Sequence, residues 1–222
     1  MNNPSPLAIG VLISGSGSNL QALIDRVADG FIPARIALVI SNNPNAYGLK
    51  RAKQAGIPTM IIDHREFQGR EPFDQAMIAA LTQAKVDLVC LAGFMRILTP
   101  CFIRAFQGRL LNIHPALLPA FPGLHVQQQA IDAGVRFSGA TVHFVTEEVD
   151  AGPIVAQAVV PLLQTDDAQS LAARILIQEH SLYPLAVSLF AQGRLRIEGN
   201  RVHILNPLAS PEAALLNPPM RE

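Results

Sequence analysis

The chain has 222 residues, of which 50% are hydrophobic and 15% are charged, and its formal net charge is zero. This length and composition predict one α/β domain, or one domain with a tail. The balanced charge argues against a nucleic-acid partner, and no apolar run is long enough to span a membrane. The N-terminus does not resemble a signal peptide. Cys90 and Cys101 fit a reduced, cytoplasmic protein, and no Cys/His cluster has zinc spacing, so we expect no metal.

The first strand is predicted at residues 7–13, a continuous apolar run typical of a parallel strand that is covered on both faces. The turn at 14–19 contains two glycines, which let the backbone approach a ligand, and a helix follows to about residue 27. Ser18 or Asn19 is predicted to cap this helix, whose free N–H groups would face an anion. The third glycine of a dinucleotide fingerprint and the Gly-Lys of a P-loop are missing. A small phosphate site is therefore favoured over an ordinary tight turn.

Strands and helices then alternate. Strands are predicted at 36–40, 58–62, 86–92 and from 110, with helices at 47–55, 71–84 and 99–106. The strand at 86–92 leads into Gly93–Leu98, where Arg96 lies among large apolar residues. This combination suits a flat, mostly apolar ligand with polar edges, although a core loop whose arginine reaches solvent is the alternative.

The most informative stretch is 110–123, which begins as a strand and continues as a proline-rich loop. Asn112 and His114 are two residues apart at the end of this strand, so they point to the same face. Pro115, Pro119 and Pro122 predict a stiff, irregular loop. Ligands of open α/β sheets bind at this end of the strands, which favours an active site. For an isolated Asn-x-His pair, a turn cap and an interior histidine are the alternative.

The C-terminal part is predicted to add antiparallel structure. A helix from residue 123 or 124 to 134 precedes a strand at 137–145, in which Thr141 and His143 share the polar face. A returning strand at 154–162, a helix at 168–192 and a small hairpin follow. Asp166 or Asp167 should cap that helix, and Pro184 should kink or split it. The fold class is therefore a doubly wound, mostly parallel, Rossmann-like α/β sheet with an antiparallel C-terminal extension. One domain is expected over residues 1–205, and a Pro-rich tail over 206–222.

Four motifs occur in one order along the chain. They are Leu12–Gln21, Leu91–Leu98, Leu111–Pro119, and the segment from Gly139 that ends with Val-Asp-Ala-Gly-Pro at residue 153. Together they resemble the phosphoribosylglycinamide formyltransferases of the folate-dependent formyltransferase superfamily, over nearly the whole chain. The resemblance implies transfer of a formyl group from 10-formyltetrahydrofolate, as co-substrate, to the amine of glycinamide ribonucleotide in purine biosynthesis.

The same resemblance implies the roles of individual residues. Asn112 and a protonated His114 would stabilise an oxyanion, and Asp150 would favour the protonated ring and orient it. Contacts to the ribonucleotide would come from Gly17, Ser18, Asn19, Leu20, Gln21, Leu176, Ile177, Gln178 and Glu179. Contacts to the folate would come from Arg70, Met95, Arg96, Ile97, Leu98, Asn112, Thr146, Glu147, Glu148, Val149 and Asp150. The expected partners are these small molecules, without nucleic acid or membrane, and the chain would be a monomer or homodimer.

Three positions depart from the family pattern, because Leu176 stands where a polar residue is expected, Ala116 replaces a serine and Ala140 replaces a threonine. Formyltetrahydrofolate hydrolase is the alternative within the superfamily, but it would carry a regulatory domain before the first strand. Methionyl-tRNA formyltransferase would need a basic tRNA-binding domain. A non-catalytic folate- or nucleotide-binding protein would not need the set formed by Asn112, His114 and Asp150.

Overall fold

A computed structural model describes residues 6–207 of the chain. Its main sheet has seven strands in the order β3-β2-β1-β4-β5-β6-β7. The strands are β1 Leu7–Ile13, β2 Ala34–Ser41, β3 Thr59–Ile61, β4 Leu88–Leu91, β5 Leu110–His114, β6 Phe137–Phe144 and β7 Ile154–Pro161. The first five are parallel, whereas β6 and β7 are antiparallel to their neighbours. The predicted doubly wound, mostly parallel fold is confirmed.

Six α-helices cover the two faces of this sheet within the described residues. They are α1 Ser18–Ala28, α2 Tyr47–Gln54, α3 Arg70–Gln83, α4 Pro100–Ala105, α5 Val126–Asp132 and α6 Ala168–Ala191. Helices α1, α2, α5 and α6 pack on one face, and α3 and α4 pack on the other. Each face of the sheet thus has its own hydrophobic core. Strand β1 supplies Val11 to the core under α1, α2, α5 and α6 and Leu12 to the core under α3 and α4, which explains its unbroken apolar sequence.

A separate two-stranded sheet lies after α6. It consists of β8 Leu195–Glu198 and β9 Arg201–Ile204, which pair antiparallel as the predicted terminal hairpin. Of the predicted tail at 206–222, only residues 206 and 207 are described, and the rest lies outside the described residues. No helix among residues 6–207 is long and apolar enough to cross a membrane.

The structure corrects two predictions about helix starts. The residue before α1 is Gly17 with φ 69°, and no side chain caps the helix there, so the predicted cap by Ser18 or Asn19 is wrong. Gly17 takes the cap position because its left-handed backbone suits glycine. Helix α5 begins at Val126 rather than at 123 or 124, because Gly123 and His125 both have positive φ.

The long helix α6 confirms one prediction and corrects another. Asp167 caps it through a reciprocal capping box with Ser170. The sequence predicts a kink or a split at Pro184, and because the helix continues through this residue as one element, the split does not occur. Proline removes one backbone hydrogen bond, but Tyr183, Ala186 and Val187 around it are fully buried in the core. This packing holds the helix together across the missing bond.

Gly139 sets the spacing between β6 and β7, because a Cβ there would overlap the carbonyl oxygen of Ala158. We therefore expect Gly139→Ala to push the two strands apart and to lower the free energy of unfolding by about 1–3 kcal/mol, as overpacking does. Urea unfolding measures this. Gly15→Ala is the control, since nothing lies within 4 Å of its Cβ position. Equal stability of the two variants would contradict the role of Gly139.

Candidate functional site

The candidate site lies where the strand order reverses, between β1 and β4. The turn after β1 and the loop after β4 meet there, and Ser14 joins them. Its N–H donates to the Gly93 carbonyl (3.1 Å), and its hydroxyl oxygen accepts the Met95 N–H (2.8 Å). The same hydroxyl donates to Asn42 Oδ1 at 2.6 Å. A cavity of about 190 Å³ lies between turn and loop. This is the crevice at which doubly wound sheets bind ligands.

The turn itself is built by a close approach of two glycines. A Cβ on Gly17 would meet the Cα of Gly48 in α2, and the Gly48 N–H donates to the Gly15 carbonyl at 3.1 Å. The first N–H groups of α1 have no partners within the helix and face outward from this turn. The Leu20 side chain is fully buried in the core, so this residue can offer a ligand only its backbone.

Asn19 connects the turn to α6. Its amide nitrogen donates to Glu179 Oε2 at 2.7 Å, and both side chains are buried. Burial raises the pKa of Glu179, whereas the hydrogen bond from Asn19 and the charge of His114 act to lower it. Glu179 therefore lies within electrostatic reach of His114. The Asn19 Oδ1 atom has no hydrogen-bond partner among the described residues.

The other predicted residues on α6 are less close to the turn. Leu176 is half-buried, whereas Ile177 and Gln178 are exposed. Glu179 is therefore the one of these four residues whose side chain the structure brings into a hydrogen bond with the turn. Gln21, one turn into α1, bonds to Arg51 and Asp25.

The loop after β4 is fixed at its far end by a buried carboxylate. Asp74 is 1% exposed and accepts both the N–H (2.6 Å) and the hydroxyl (2.7 Å) of Thr99. Burial raises the pKa of Asp74, and the positive charges of Arg70 and Arg96 act against that shift. The two predicted folate arginines therefore lie within electrostatic reach of one carboxylate. Met95 and Ile97 are mostly exposed, while Leu98 is buried in the core.

The side chain of Asp150 contacts residues at the end of β5. Its backbone has a positive φ of 53°. Its Oδ2 accepts the Gly123 N–H at 2.9 Å and lies 3.5 Å from His114 Nδ1. Its Oδ1 lies 3.7 Å from Nε2 of His143. One carboxylate thus touches both buried histidines and the start of the 123–125 turn.

The other residues of the Asp150 turn contact different partners or are exposed. Thr146 donates its hydroxyl to the Glu148 carbonyl at 3.2 Å. Glu147 pairs with the exposed Arg104 at 3.0 Å, and Val149 is 54% exposed. These residues form a partly apolar rim rather than part of the buried cluster.

The pairing of β5 with β6 places the polar side chains opposite one another. Asn112 pairs with His143, and His114 pairs with Thr141. Asn112 Nδ2 lies 3.3 Å from His143 Nε2, while His143 Nδ1 lies 3.0 Å from the Phe144 carbonyl. Burial lowers the pKa of His143. The neutral ring therefore donates from Nδ1 and accepts an Asn112 N–H at Nε2.

His114 is held at both ring nitrogens. Nε2 donates to the Phe121 carbonyl at 2.8 Å, and Nδ1 faces Asp150. Both ring nitrogens therefore face oxygen atoms that can accept an N–H hydrogen bond but cannot donate one. Thr141 supports the loop above it by accepting the Leu118 N–H and donating to the Ala116 carbonyl.

Sequence reasoning missed the role of His143 in this arrangement, although it noted that His143 shares the polar face of its strand. It also gave no role to Arg51 and His180, which line a second cavity beside the turn. Asn112, His114 and Asp150 are brought together as predicted. No group of three or more His, Cys, Asp or Glu residues within 6–207 could hold a metal ion.

Comparison with known proteins gives a consistent family. The formyl transferase family model matches residues 7–187. The phosphoribosylglycinamide formyltransferase of Escherichia coli is 48% identical over 190 residues, which cover 86% of this chain and 90% of that protein. The trifunctional purine biosynthetic protein adenosine-3 of Drosophila melanogaster is 54% identical over 83% of this chain, which spans only 14% of that longer protein.

Solved structures agree with this relationship. Glycinamide ribonucleotide transformylase 1 from Symbiobacterium toebii superposes with a TM-score of 0.90 at 52% identity, covering 92% of this chain and 96% of that one. A formyltetrahydrofolate deformylase from Pseudomonas syringae superposes with a TM-score of 0.86 at 27% identity, covering 91% of this chain and 67% of that one.

The contacts of the two ring nitrogens of His143 predict its protonation state, which can be measured. Because folding lowers its pKa below the ordinary value of 6.5, His143 should stay neutral at pH 6.5 with an unprotonated Nε2. Its contribution to stability is complete above pH 6.5 and is lost as the pH falls through the lowered pKa. Nitrogen NMR of histidine-labelled protein measures this, with His143→Gln assigning the signal. A ring protonated at both nitrogens at pH 6.5 would contradict the arrangement.

Proposed function

The chain belongs to the formyl transferase family, and from this premise we propose that it transfers the formyl group of 10-formyltetrahydrofolate to the amine of glycinamide ribonucleotide in purine biosynthesis. The observation that carries the proposal is the cluster of Asn112, His114 and Asp150 at the end of β5. This cluster lies beside the turn of β1 and the loop of β4, which offer separate places for an anionic and a flat apolar ligand.

The reaction forms one bond and breaks another at the formyl carbon. The substrate amine attacks this carbon, which gives a tetrahedral species with a negatively charged oxygen. When that species collapses, the bond to the folate nitrogen breaks, the amine loses a proton and the folate nitrogen gains one. The protein must therefore supply donors to the oxyanion and a route for one proton.

Asn112 is suited to the first task. Its amide carries two N–H groups, and His143 Nε2 accepts one of them at 3.3 Å. That bond fixes the amide orientation and leaves the second N–H for the oxyanion. Removing a single donor of this kind costs about 10²–10³ in turnover in other enzymes.

His114 and Asp150 are suited to the second task. The carboxylate 3.5 Å from Nδ1 favours a proton on that nitrogen, and the protonated ring lies at the same end of β5 as Asn112. In this state the ring stabilises the oxyanion by its charge and can give a proton to the leaving nitrogen. No covalent nucleophile is needed for this route.

We assign the folate to the loop after β4 and the Asp150 turn. Met95, Ile97 and Val149 expose apolar side chains there, which suits a pterin ring, and Arg70 and Arg96 suit a carboxylated tail. The ribonucleotide belongs at the other side of the crevice, with its phosphate at the start of α1 and Glu179 near its sugar.

We further propose a cytoplasmic location and a monomer or homodimer that binds only these small molecules. Cys90 and Cys101 are free thiols, which supports a reducing compartment. The zero net charge supports the absence of a nucleic-acid partner.

A two-product assay tests the proposed function. The protein is incubated with 10-formyltetrahydrofolate, with and without glycinamide ribonucleotide, and deformylated folate and formylated product are followed together. We expect folate turnover only when the ribonucleotide is present, with equal amounts of the two products. Turnover without the ribonucleotide would indicate a hydrolase. Tight ligand binding without any turnover would indicate a binding protein.

Replacing Asp150 separates its proposed proton role from folate binding. Asp150→Asn should lower kcat by about 10²–10⁴, because the amide cannot stabilise a protonated His114. Asparagine tolerates positive φ as aspartate does, so the turn should be kept. Folate affinity, measured by calorimetry, should change only a few-fold.

The matched control is Asp132→Asn, which removes an exposed carboxylate on α5. This variant should keep the wild-type kcat. If Asp150→Asn also kept it, Asp150 would have no part in the proton route.

A further inference from the structure

A second cavity, of about 310 Å³, opens on the outer side of the α1 N-terminus. It is bounded by side chains from three helices, α1, α2 and α6. The lining residues are Ser18, Gln21, Ala22, Asp25, Arg26, Arg51 and His180. The cavity therefore adjoins the turn to which the proposed function assigns a phosphate.

Arg51 reaches this cavity because of the contact between the two glycines. Gly48 holds the start of α2 against the turn, and Arg51 lies three residues later on the same side of that helix. Its Nε donates to the Ser16 carbonyl at 3.0 Å, and Nη1 donates to Gln21 Oε1 at 3.3 Å. Both acceptors are neutral, so the guanidinium keeps its full charge beside the turn.

The other arginine of the cavity is already neutralised. Arg26 Nη1 lies 2.6 Å from Asp29 Oδ2. Within residues 6–207 Arg51 makes the two hydrogen bonds above and no ion pair, which leaves three of its five N–H groups open. Asp25 also lines the cavity, but its Oδ1 accepts the Gln21 amide at 2.8 Å.

His180 lines the same cavity from α6. Its Nε2 is buried and has no hydrogen-bond partner among the described residues. Burial and the nearby charge of Arg51 lower the pKa of His180, so the ring is neutral. Leu176, one helical turn earlier, offers no polar group.

We propose that Arg51 is the residue that recognises the phosphate of the ribonucleotide substrate by charge, together with the N–H groups at the start of α1. The proposal rests on the proposed function and extends it to a specificity-determining side chain. A planar guanidinium can give two parallel N–H bonds to one phosphate, whereas the backbone N–H groups alone carry only partial charge. In this chain Arg51 thus provides a charged group beside the turn, whereas the apolar Leu176 provides no polar group.

The test compares two substrates that differ only in the phosphate: glycinamide ribonucleotide and its dephosphorylated riboside. Arg51→Gln should lower kcat/KM for the ribonucleotide by about 10- to 150-fold, the value of a charged hydrogen bond, mainly through KM. It should leave kcat/KM for the riboside unchanged. Arg51→Lys should recover part of the loss, since it keeps the charge without the paired geometry.

The control variant is Arg26→Gln, which removes the paired arginine of the same cavity and should change neither substrate by more than about two-fold. An equal loss on both substrates in Arg51→Gln, or no loss on either, would overturn the proposal. Calorimetric titration of both compounds separates this outcome from failure of the proposed function. If wild-type protein binds the ribonucleotide without formylating it, weaker binding in Arg51→Gln would still support the phosphate role.

Discussion

Strand β1 pairs with β2 on one side and with β4 on the other, and the chain leaves β1 and β4 toward opposite faces of the sheet. A crevice opens at the point where the two connections part. In this protein the two sides of the crevice are joined, because Ser14 forms hydrogen bonds with both Gly93 and Met95 across it. The relative position of the turn and the loop is therefore set by the backbone and the side chain of one residue, Ser14, at the end of β1.

The antiparallel pairing of β6 with β5 brings polar side chains of the two strands opposite one another. In the observed register, Asn112 lies opposite His143 and His114 lies opposite Thr141, so four polar side chains share one face at the strand end. A shift of the pairing by one residue would turn the polar set of β6 toward the other face. Gly139 permits close contact with β7 in the same strand. The register that buries the core thus also aligns the polar residues.

The sequence allowed prediction of a doubly wound, mostly parallel sheet, the antiparallel return and the meeting of Asn112, His114 and Asp150. These follow from apolar periodicity, from turn residues and from family motifs. The role of Asn19 was not predictable locally, because its amide bonds to Glu179, 160 residues away. The same holds for Arg51, whose position depends on packing between Gly17 and Gly48. Local propensity cannot anticipate such contacts, since they exist only after the helices have packed.

Asp150 illustrates how the fold gives up some stability for geometry. Its φ of 53° is unusual for a residue other than glycine, and such backbones cost of order 1–3 kcal/mol. Gly152, two residues after Asp150, has no room for a Cβ, which would overlap the Phe144 carbonyl oxygen. The turn is therefore held against β6 by backbone contact, and its carboxylate is directed at two histidines and the Gly123 N–H. The hydrogen bond from the Gly123 N–H and the contact with His114 Nδ1 offset that backbone cost, and the carboxylate is fixed before any substrate arrives. Since a preorganised charge needs no rearrangement during reaction, this strained turn is where we expect the fold to contribute most to catalysis.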